Sequence, residues 1–357
     1  MIAAPSAATG ESVQLLRETH ALLRDLLEAR PRRYWMDFLL TSLIAYAAFV
    51  GYVRAEAASM VRGLALVIGA LAMYRAAVFI HEIVHRPANA FRAFTFVWNA
   101  MCGVPLWMPS FLYGDHRGHH AGPSYGTRAD PEYILVRWPG PARAAGLVAL
   151  AFVYPLLGFL RFLLLTPVAL LARPLDRLVW THASSLYNMN EAYRRPYDAQ
   201  ARSASRWLQE VAAAAWAWLV VALVATHRMS WSTVGKTYVV LMVWMLLNQV
   251  RTLVAHRYSN RGGLPVSHGV QVADTNTFAR GPWAALWAPL GMRYHALHHL
   301  LPALPYHSMS EAHRRLIDRL PPGSPYRATV QRSLWSALAS TLEDRPKRQS
   351  PPAKRQS

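Results

Sequence analysis

Long apolar runs, separated by short polar segments rich in arginine and histidine, dominate the pattern along this chain. A helix of about 20 apolar residues is long enough to cross the hydrocarbon core of a bilayer. Four runs meet this condition, and they predict membrane-spanning helices at about 34–53, 61–80, 208–226 and 233–255. The pattern therefore predicts an all-α integral membrane protein with two helical hairpins.

Amphipathic and basic segments flank this region. Leucines recur at helical spacing over residues 11–29, which predicts a helix lying on the membrane surface or against a polar domain. The last 15 or so residues are basic and proline-rich, as is typical of a disordered tail. We divide the chain into a flexible and amphipathic N-terminal segment (1–33), a membrane catalytic domain (34–320) and a C-terminal segment (321–357).

Composition supports the membrane assignment. Hydrophobic residues make up 53% of the 357 residues, and charged residues only 16%. The net charge of +19 lies mostly beside the apolar runs, where it suits a membrane surface, and no nucleic-acid-binding motif accompanies it. The single cysteine, Cys102, excludes internal disulfides and thiolate-bound iron–sulfur clusters.

Eight of the 15 histidines fall into three short boxes. Positions i and i+4 of a helix share one face, so both ends of each box can reach one metal centre. Clustered imidazoles repel one another when protonated, and a shared cation accounts for their proximity. The boxes are His81-Glu-Ile-Val-His85, His116-Arg-Gly-His119-His120 and His295-Ala-Leu-His298-His299.

The number of histidines indicates two metal ions, because one metal takes at most about six ligands. His256 is the candidate ninth ligand, since it follows directly on an apolar run. The first box alone is also the HExxH motif of zinc proteases, with Glu82 as general base, but that interpretation leaves the other two boxes unexplained.

Further polar residues are candidates for orienting the ligands or lining a substrate path. Asn248 and Arg251 lie within the last apolar run, where polar groups are costly unless they are used. Carboxylates can accept hydrogen bonds from ligand imidazoles. The carboxylate candidates are Glu82, Asp115, Asp130, Glu132 and Asp274, and His307 is a further candidate.

A shared metal site also constrains the topology, because all three boxes and His256 must lie on one side of the membrane. Two more apolar stretches, 94–113 and 147–172, separate these histidines and contain prolines. Each must make an even number of crossings, so we predict that both are re-entrant or interfacial. Arginines flank the histidine segments, which predicts that the site and both termini are cytoplasmic.

The three boxes and the lone His256 resemble the membrane fatty acid desaturase superfamily over about residues 36–320. Segments 124–127 (SYGT), 130–133 (DPEY), 248–257 (NQVRTLVAHR), 286–299 and 304–307 are similar to bacterial acyl-lipid desaturases. The resemblance implies four membrane helices with a cytosolic cap in a bacterial inner membrane. It also implies two irons held by the nine histidines, and O₂ as co-substrate.

The resemblance implies a substrate and an electron donor as well. The substrate would be an acyl chain carried on a lipid, acyl carrier protein or coenzyme A. Electrons would come from a separate ferredoxin-like protein and its reductase, which a basic face suits. The chain departs from the acyl-CoA branch at Thr252, where that branch has an asparagine that helps complete the site.

The sequence therefore predicts an oxygen-dependent fatty acyl desaturase. Two alternatives stay open. A lipid hydroxylase or ketolase would use the same histidines but insert oxygen, and an intramembrane zinc protease would use the first box.

Overall fold

The computed structural model describes residues 16–133, 140–185, 190, 192–260 and 263–342, and these form helices joined by loops. Within them, the β-structure amounts to isolated bridges such as His256 with Thr275. The helices are α1 Pro31–Arg54, α2 Met60–Val84, α3 Arg92–Trp98, α4 His116–His119, α5 Gly140–Leu160, α6 Thr166–Leu171, α7 Arg173–Ala183, α8 Ala204–Ala225, α9 Trp231–Ala255, α10 His268–Ala273, α11 Ala284–Trp287, α12 His295–Leu300, α13 Met309–Arg319, α14 Pro325–Ala328 and α15 Leu334–Leu342.

Helices α1 and α2 form the first predicted membrane hairpin. Pro31 begins α1, where its missing N–H costs no helical hydrogen bond, and the Ser59 side chain caps α2 by accepting from the amide of Arg62. The facing sides bury aromatic and small residues such as Phe38 and Ala76. Large apolar side chains such as Leu43 point outwards, as a lipid-facing helix requires.

Helices α8 and α9 form the second predicted hairpin. Ser203 and Ser230 cap their N-termini through side-chain hydrogen bonds, and the connection turns at His227, which has a positive φ of 57°. Both helices are long and apolar enough to cross a membrane. The prediction of an all-α membrane protein is confirmed, with α8 and α9 joined by a short turn and α9 packed mainly against α2 and α5.

The stretch 94–113 enters the membrane region and returns. It runs through α3, a π-helical turn at Asn99–Gly103 and a short 3-10 helix at Ser110–Tyr113. The backbone amide of Ser110 donates to the Asn99 side chain at 2.8 Å, so the two limbs of the loop lie side by side. The Tyr46 hydroxyl, near the middle of α1, donates to the carbonyl of Met101 at the tip of the loop. These contacts agree with the predicted re-entrant segment.

Residues 145–171 form a fifth helix long and apolar enough to span a membrane, so the part of the chain that the structure describes has five candidate spans where the sequence predicted four. This helix packs along α9, and its continuation contacts α8. Leu147 packs in one cluster with Leu253, close to the end of α9 that precedes His256. Arg161 pairs with Glu210 at 2.7 Å, near the start of α8 on the same side. Leu147 and Arg161 therefore lie near the histidine-bearing ends of α9 and α8. Between them, the carbonyl of Phe152 accepts from the hydroxyl of Tyr238, near the opposite end of α9, and the course of this stretch stays a prediction.

A helical cap covers the histidine-bearing side of the hairpins. Its core unites α12, α13 and α14 through residues such as Leu297, Leu316 and Tyr326. The predicted N-terminal amphipathic helix, described from residue 16, packs on this core through Leu23, and Asp25 pairs with Arg315 at 2.7 Å. The basic tail at 343–357 lies outside the described residues, and the division into three segments stays a prediction.

Candidate metal centre

The first histidine box lies at the cap end of α2. His81 is in the last turn of this helix, and His85 is the residue that ends it. Their ring centroids are 5.1 Å apart, as the i, i+4 spacing predicts. Because α2 packs in the middle of the molecule, His81 is buried, and His85 at its end is partly buried.

The second and third boxes are on the short helices α4 and α12. In each box, the first and last histidines turn their Nε2 atoms towards each other. These atoms lie 3.0 Å apart between His116 and His120, and 3.2 Å apart between His295 and His299. Helix α12 is buried throughout, in the core of the cap. Both boxes lie over the end of α2, where the rings of His116 and His298 contact the ring of His81.

His256 joins the second and third boxes. It follows α9 in an extended conformation that pairs with Thr275. Its Nε2 atom lies 2.9 Å from Nε2 of His295 and 3.1 Å from Nε2 of His119. The structure therefore brings His256 to the place where the sequence predicted a ninth ligand.

The nine histidines divide into two groups, each of which could hold a metal ion. In each group, one nitrogen per residue can be chosen such that all lie within 4.8 Å of one another. We call them the five-histidine group and the four-histidine group. The first consists of His81, His85, His116, His120 and His298, and the second of His119, His256, His295 and His299. The groups adjoin, since the rings of His120 and His299 have centroids 4.3 Å apart.

The donor atoms fit metal ions. Two imidazole nitrogens 3 Å apart repel when both are bare, and a bound cation between them removes this conflict. The Nε2 atoms of His81 and His85 are buried without a hydrogen-bond partner among the described residues. Burial, reinforced by neighbouring imidazoles, lowers the pKa of His298 well below its usual value and so favours the neutral, metal-binding form.

Hydrogen bonds to the outer nitrogens orient several of these rings. Nδ1 of His116 lies 2.6 Å from Glu132, and Nδ1 of His119 lies 2.8 Å from Asp130. Burial opposes protonation of His119, but the Asp130 carboxylate outweighs it and raises the pKa of His119. Such a carboxylate fixes the proton on Nδ1 and leaves Nε2 free for a metal.

His256 is oriented through a tyrosine. The Tyr125 hydroxyl donates to Asp274 at 2.8 Å and lies 2.9 Å from Nδ1 of His256. Since its only proton goes to Asp274, this hydroxyl accepts the Nδ1 proton of His256. The Tyr133 hydroxyl also donates to Asp274, at 2.8 Å. This chain again directs the Nε2 lone pair of His256 into the cluster.

Comparison with known proteins assigns the chain to a protein family. Residues 57–330 match the family model described as fatty acid desaturase. A ceramide hydroxylase of Caulobacter vibrioides (strain NA1000 / CB15N) is 35% identical over 335 residues, which cover 93% of this chain and 94% of that protein. The chain belongs to the fatty acid desaturase family. It is therefore a non-haem di-iron oxidoreductase, as the sequence predicted.

Membership in the fatty acid desaturase family argues against the protease alternative, and the position of Glu82 does so independently. This carboxylate accepts hydrogen bonds from the Tyr34 hydroxyl and, at 3.2 Å, from Arg86. The backbone amide of Tyr306 donates to it as well, at 3.4 Å. Glu82 is thus engaged by other groups and is not placed as a general base beside a metal.

The structure corrects part of the predicted set of supporting residues. Asp130, Glu132 and Asp274 contact the ligand histidines directly or through Tyr125. Asp115 instead pairs with Arg195 at 2.8 Å. His307 accepts from the backbone amide of Arg30 at 3.2 Å, outside the cluster.

The residues in the last apolar run border a cavity, and their role in a substrate path stays a prediction. Asn248, Arg251 and Thr252 line a cavity of about 70 Å³ that also reaches His81. Thr252, the position of departure from the acyl-CoA branch, thus borders the site.

Sequence reasoning missed Tyr125 and Gln271. The amide of Gln271 lies 3.0 Å from Nδ1 of His299 and donates to the carbonyl of His119 at 3.1 Å, so it ties the two boxes together. Tyr125 lies within the segment 124–127 that resembles family members, but its spacing to His256 along the chain gave no signal. Both contacts arise from the way the cap folds over the hairpins.

Proposed function

We propose that this enzyme hydroxylates a membrane lipid of the ceramide class. The arrangement of the histidines serves hydroxylation and desaturation alike, so it does not choose between them. Hydroxylation is favoured over desaturation because the chain is similar to a ceramide hydroxylase along nearly its whole length. This proposal takes up the sequence-predicted hydroxylase alternative in place of an acyl desaturase.

The reaction we propose is R–H + O₂ + 2 e⁻ + 2 H⁺ → R–OH + H₂O. One C–H bond breaks, one C–O bond forms, and the second oxygen atom leaves as water. The electrons come from a soluble ferredoxin-like protein and its reductase. When bound, the two irons supply the oxygen activation that an unactivated C–H bond requires.

The residues of the chain hold and shield this chemistry. The nine histidines would hold the irons, while Glu132, Asp130 and the pair Tyr125–Asp274 keep the ring protons of His116, His119 and His256 on Nδ1. The buried setting of the four-histidine group excludes bulk water, which protects reactive species from side reactions.

We also propose that the enzyme sits in a bacterial inner membrane with its histidine side in the cytoplasm. Exposed positions on opposite sides, Glu56 between α1 and α2 and Asp318 in α13, allow a test. A membrane-impermeant thiol reagent added to intact cells should label Glu56→Cys and spare Asp318→Cys. The reverse pattern would invert the orientation.

Lipid analysis tests the proposed reaction. A bacterial host supplied with ceramide and expressing the enzyme should accumulate ceramide with one added oxygen atom. The His119→Ala variant, expressed to the same level, should leave ceramide unchanged. Loss of two hydrogens without gain of oxygen would instead support the second candidate, an acyl desaturase of the same family.

A further inference from the structure

One face of α9 carries polar side chains from the middle of the helix to its end at the metal centre. Trp244, Asn248, Arg251 and Thr252 follow at positions i, i+4, i+7 and i+8, which share a face. They line the cavity of about 70 Å³ that His81 and Gln249 also border. Polar side chains buried within an apolar helix are costly unless they are used.

The cavity contains hydrogen-bond donors that the protein does not satisfy. Nε1 of Trp244, Nε2 of Gln249 and Nε of Arg251 are buried without partners among the described residues. Trp244 is only 4% exposed and Gln249 only 2%. Buried donors of this kind are unfavourable unless an acceptor arrives from outside the chain.

The donors do not belong to the metal centre. Indole and guanidinium N–H groups have no lone pair to offer a metal. Asn248 accepts from Nη2 of Arg251 at 3.0 Å, which uses its amide oxygen and leaves Nε of Arg251 without a partner. Three unpaired donors around one small cavity therefore indicate that an oxygen acceptor binds there, beside the histidines.

We propose that this cavity binds an oxygen of the substrate, an amide carbonyl or a hydroxyl, located a few bonds from the carbon that reacts. The inference rests on the proposed function and deepens it. The enzyme would select lipids by the oxygenated, amide-linked part of the molecule, and the reaction would occur near that part. A purely hydrocarbon segment would leave all three donors unpaired.

The test compares ceramide with two analogues, one without the amide carbonyl and one without the C3 hydroxyl. The iron-loaded enzyme in nanodiscs should have a KM for ceramide at least about tenfold below that for one analogue, because a site built to pair an oxygen rejects its absence. The Trp244→Phe and Gln249→Met variants keep volume but lose a donor, so this preference should shrink while iron content stays the same.

Trp216→Phe is the matched control, because its indole donates to the carbonyl of Pro105 at 3.2 Å, away from the cavity. It should keep the wild-type preference. If the variants slow all three lipids in equal proportion, or the wild type shows no preference, the donors hold water or only stabilise the helix, and the inference fails.

A binding readout separates this inference from the proposed function. Ceramide should raise the melting temperature of the iron-loaded, unreduced enzyme more than either analogue does, and Trp244→Phe should reduce the difference. If ceramide binds selectively but gains no oxygen on reduction, the proposed function fails and the inference stands. Equal stabilisation by all three lipids would overturn the inference whatever the products.

Discussion

The two histidine groups are held in different ways. In the four-histidine group all members are buried, and three of the four have a partner on Nδ1, namely Asp130, Tyr125 or Gln271. In the five-histidine group, His85 and His120 are only partly buried. Glu132 holds Nδ1 of His116, but Nδ1 of His81, His120 and His298 has no partner among the described residues.

This difference suggests two strategies for binding a metal. The four-histidine group has fewer ligands, each fixed in direction before a metal arrives. The five-histidine group relies on an additional ligand and leaves several rings freer to adjust. Loss of a ligand, or of a partner that orients one, should therefore affect the four-histidine group more.

The largest effect should come from removing a ligand. His299→Ala leaves three histidines in its group and should lower iron to about one per chain, since the remaining donors are too few to close a stable site. His120→Ala leaves four and should retain more iron. Elemental analysis of purified protein measures this, with His182→Ala, at an exposed site, as the control. Equal iron loss in both variants would contradict the comparison.

The next largest effect should come from the carboxylates behind the rings. Asp130→Asn removes the charge beside His119 and should lower activity by roughly 10- to 100-fold, together with iron affinity. Glu132→Gln weakens the hydrogen bond that orients His116, in the five-histidine group. It should lower activity by less than about tenfold. Turnover and iron titration measure both. A larger loss in Glu132→Gln would reverse the proposed order of rigidity.

A smaller effect should follow from breaking the tyrosine bridge to His256. Tyr125→Phe removes the acceptor of the Nδ1 proton and should lower activity by about tenfold. Tyr133→Phe removes a similar bond to Asp274 without touching His256, so it should leave activity within about threefold of wild type. Iron content and turnover are measured for both variants. If the two variants have the same iron content and turnover, Tyr125 does not orient His256 in the metal centre.

The smallest effect on iron should come from Glu82, which lies beside the five-histidine group in sequence but faces Tyr34 and Arg86. Glu82→Gln should keep both irons and most of the oxidation activity. Loss of oxidation activity with iron retained would give Glu82 a role in the reaction that its contacts do not support.

Much of this architecture could be predicted because a bilayer imposes strong rules on sequence. Span length gave the two hairpins, and the requirement that all histidines share one side gave the re-entrant course of 94–113. The helical spacing within each box gave the ligand pairs. Residues 145–171 were harder to predict, since their length and apolarity fit a span, whereas a shared metal site requires an even number of crossings there.

The supporting residues could be predicted only in part. Asp130 lies only 11 residues after His119, so a short loop can bring its carboxylate back to the ring of His119. Tyr125 and Gln271 reach their histidines only because the cap folds over the membrane helices, and no local pattern encodes that contact. The separation of the nine histidines into groups of five and four likewise depends on tertiary packing.

The most direct test uses the purified, iron-loaded enzyme with ceramide, a reduced ferredoxin-like donor and ¹⁸O₂. The account predicts that the lipid product carries one ¹⁸O atom, and that iron-free protein gives none. A product that has lost two hydrogens and contains no ¹⁸O would contradict hydroxylation. Full activity in iron-free protein would contradict the metal centre itself.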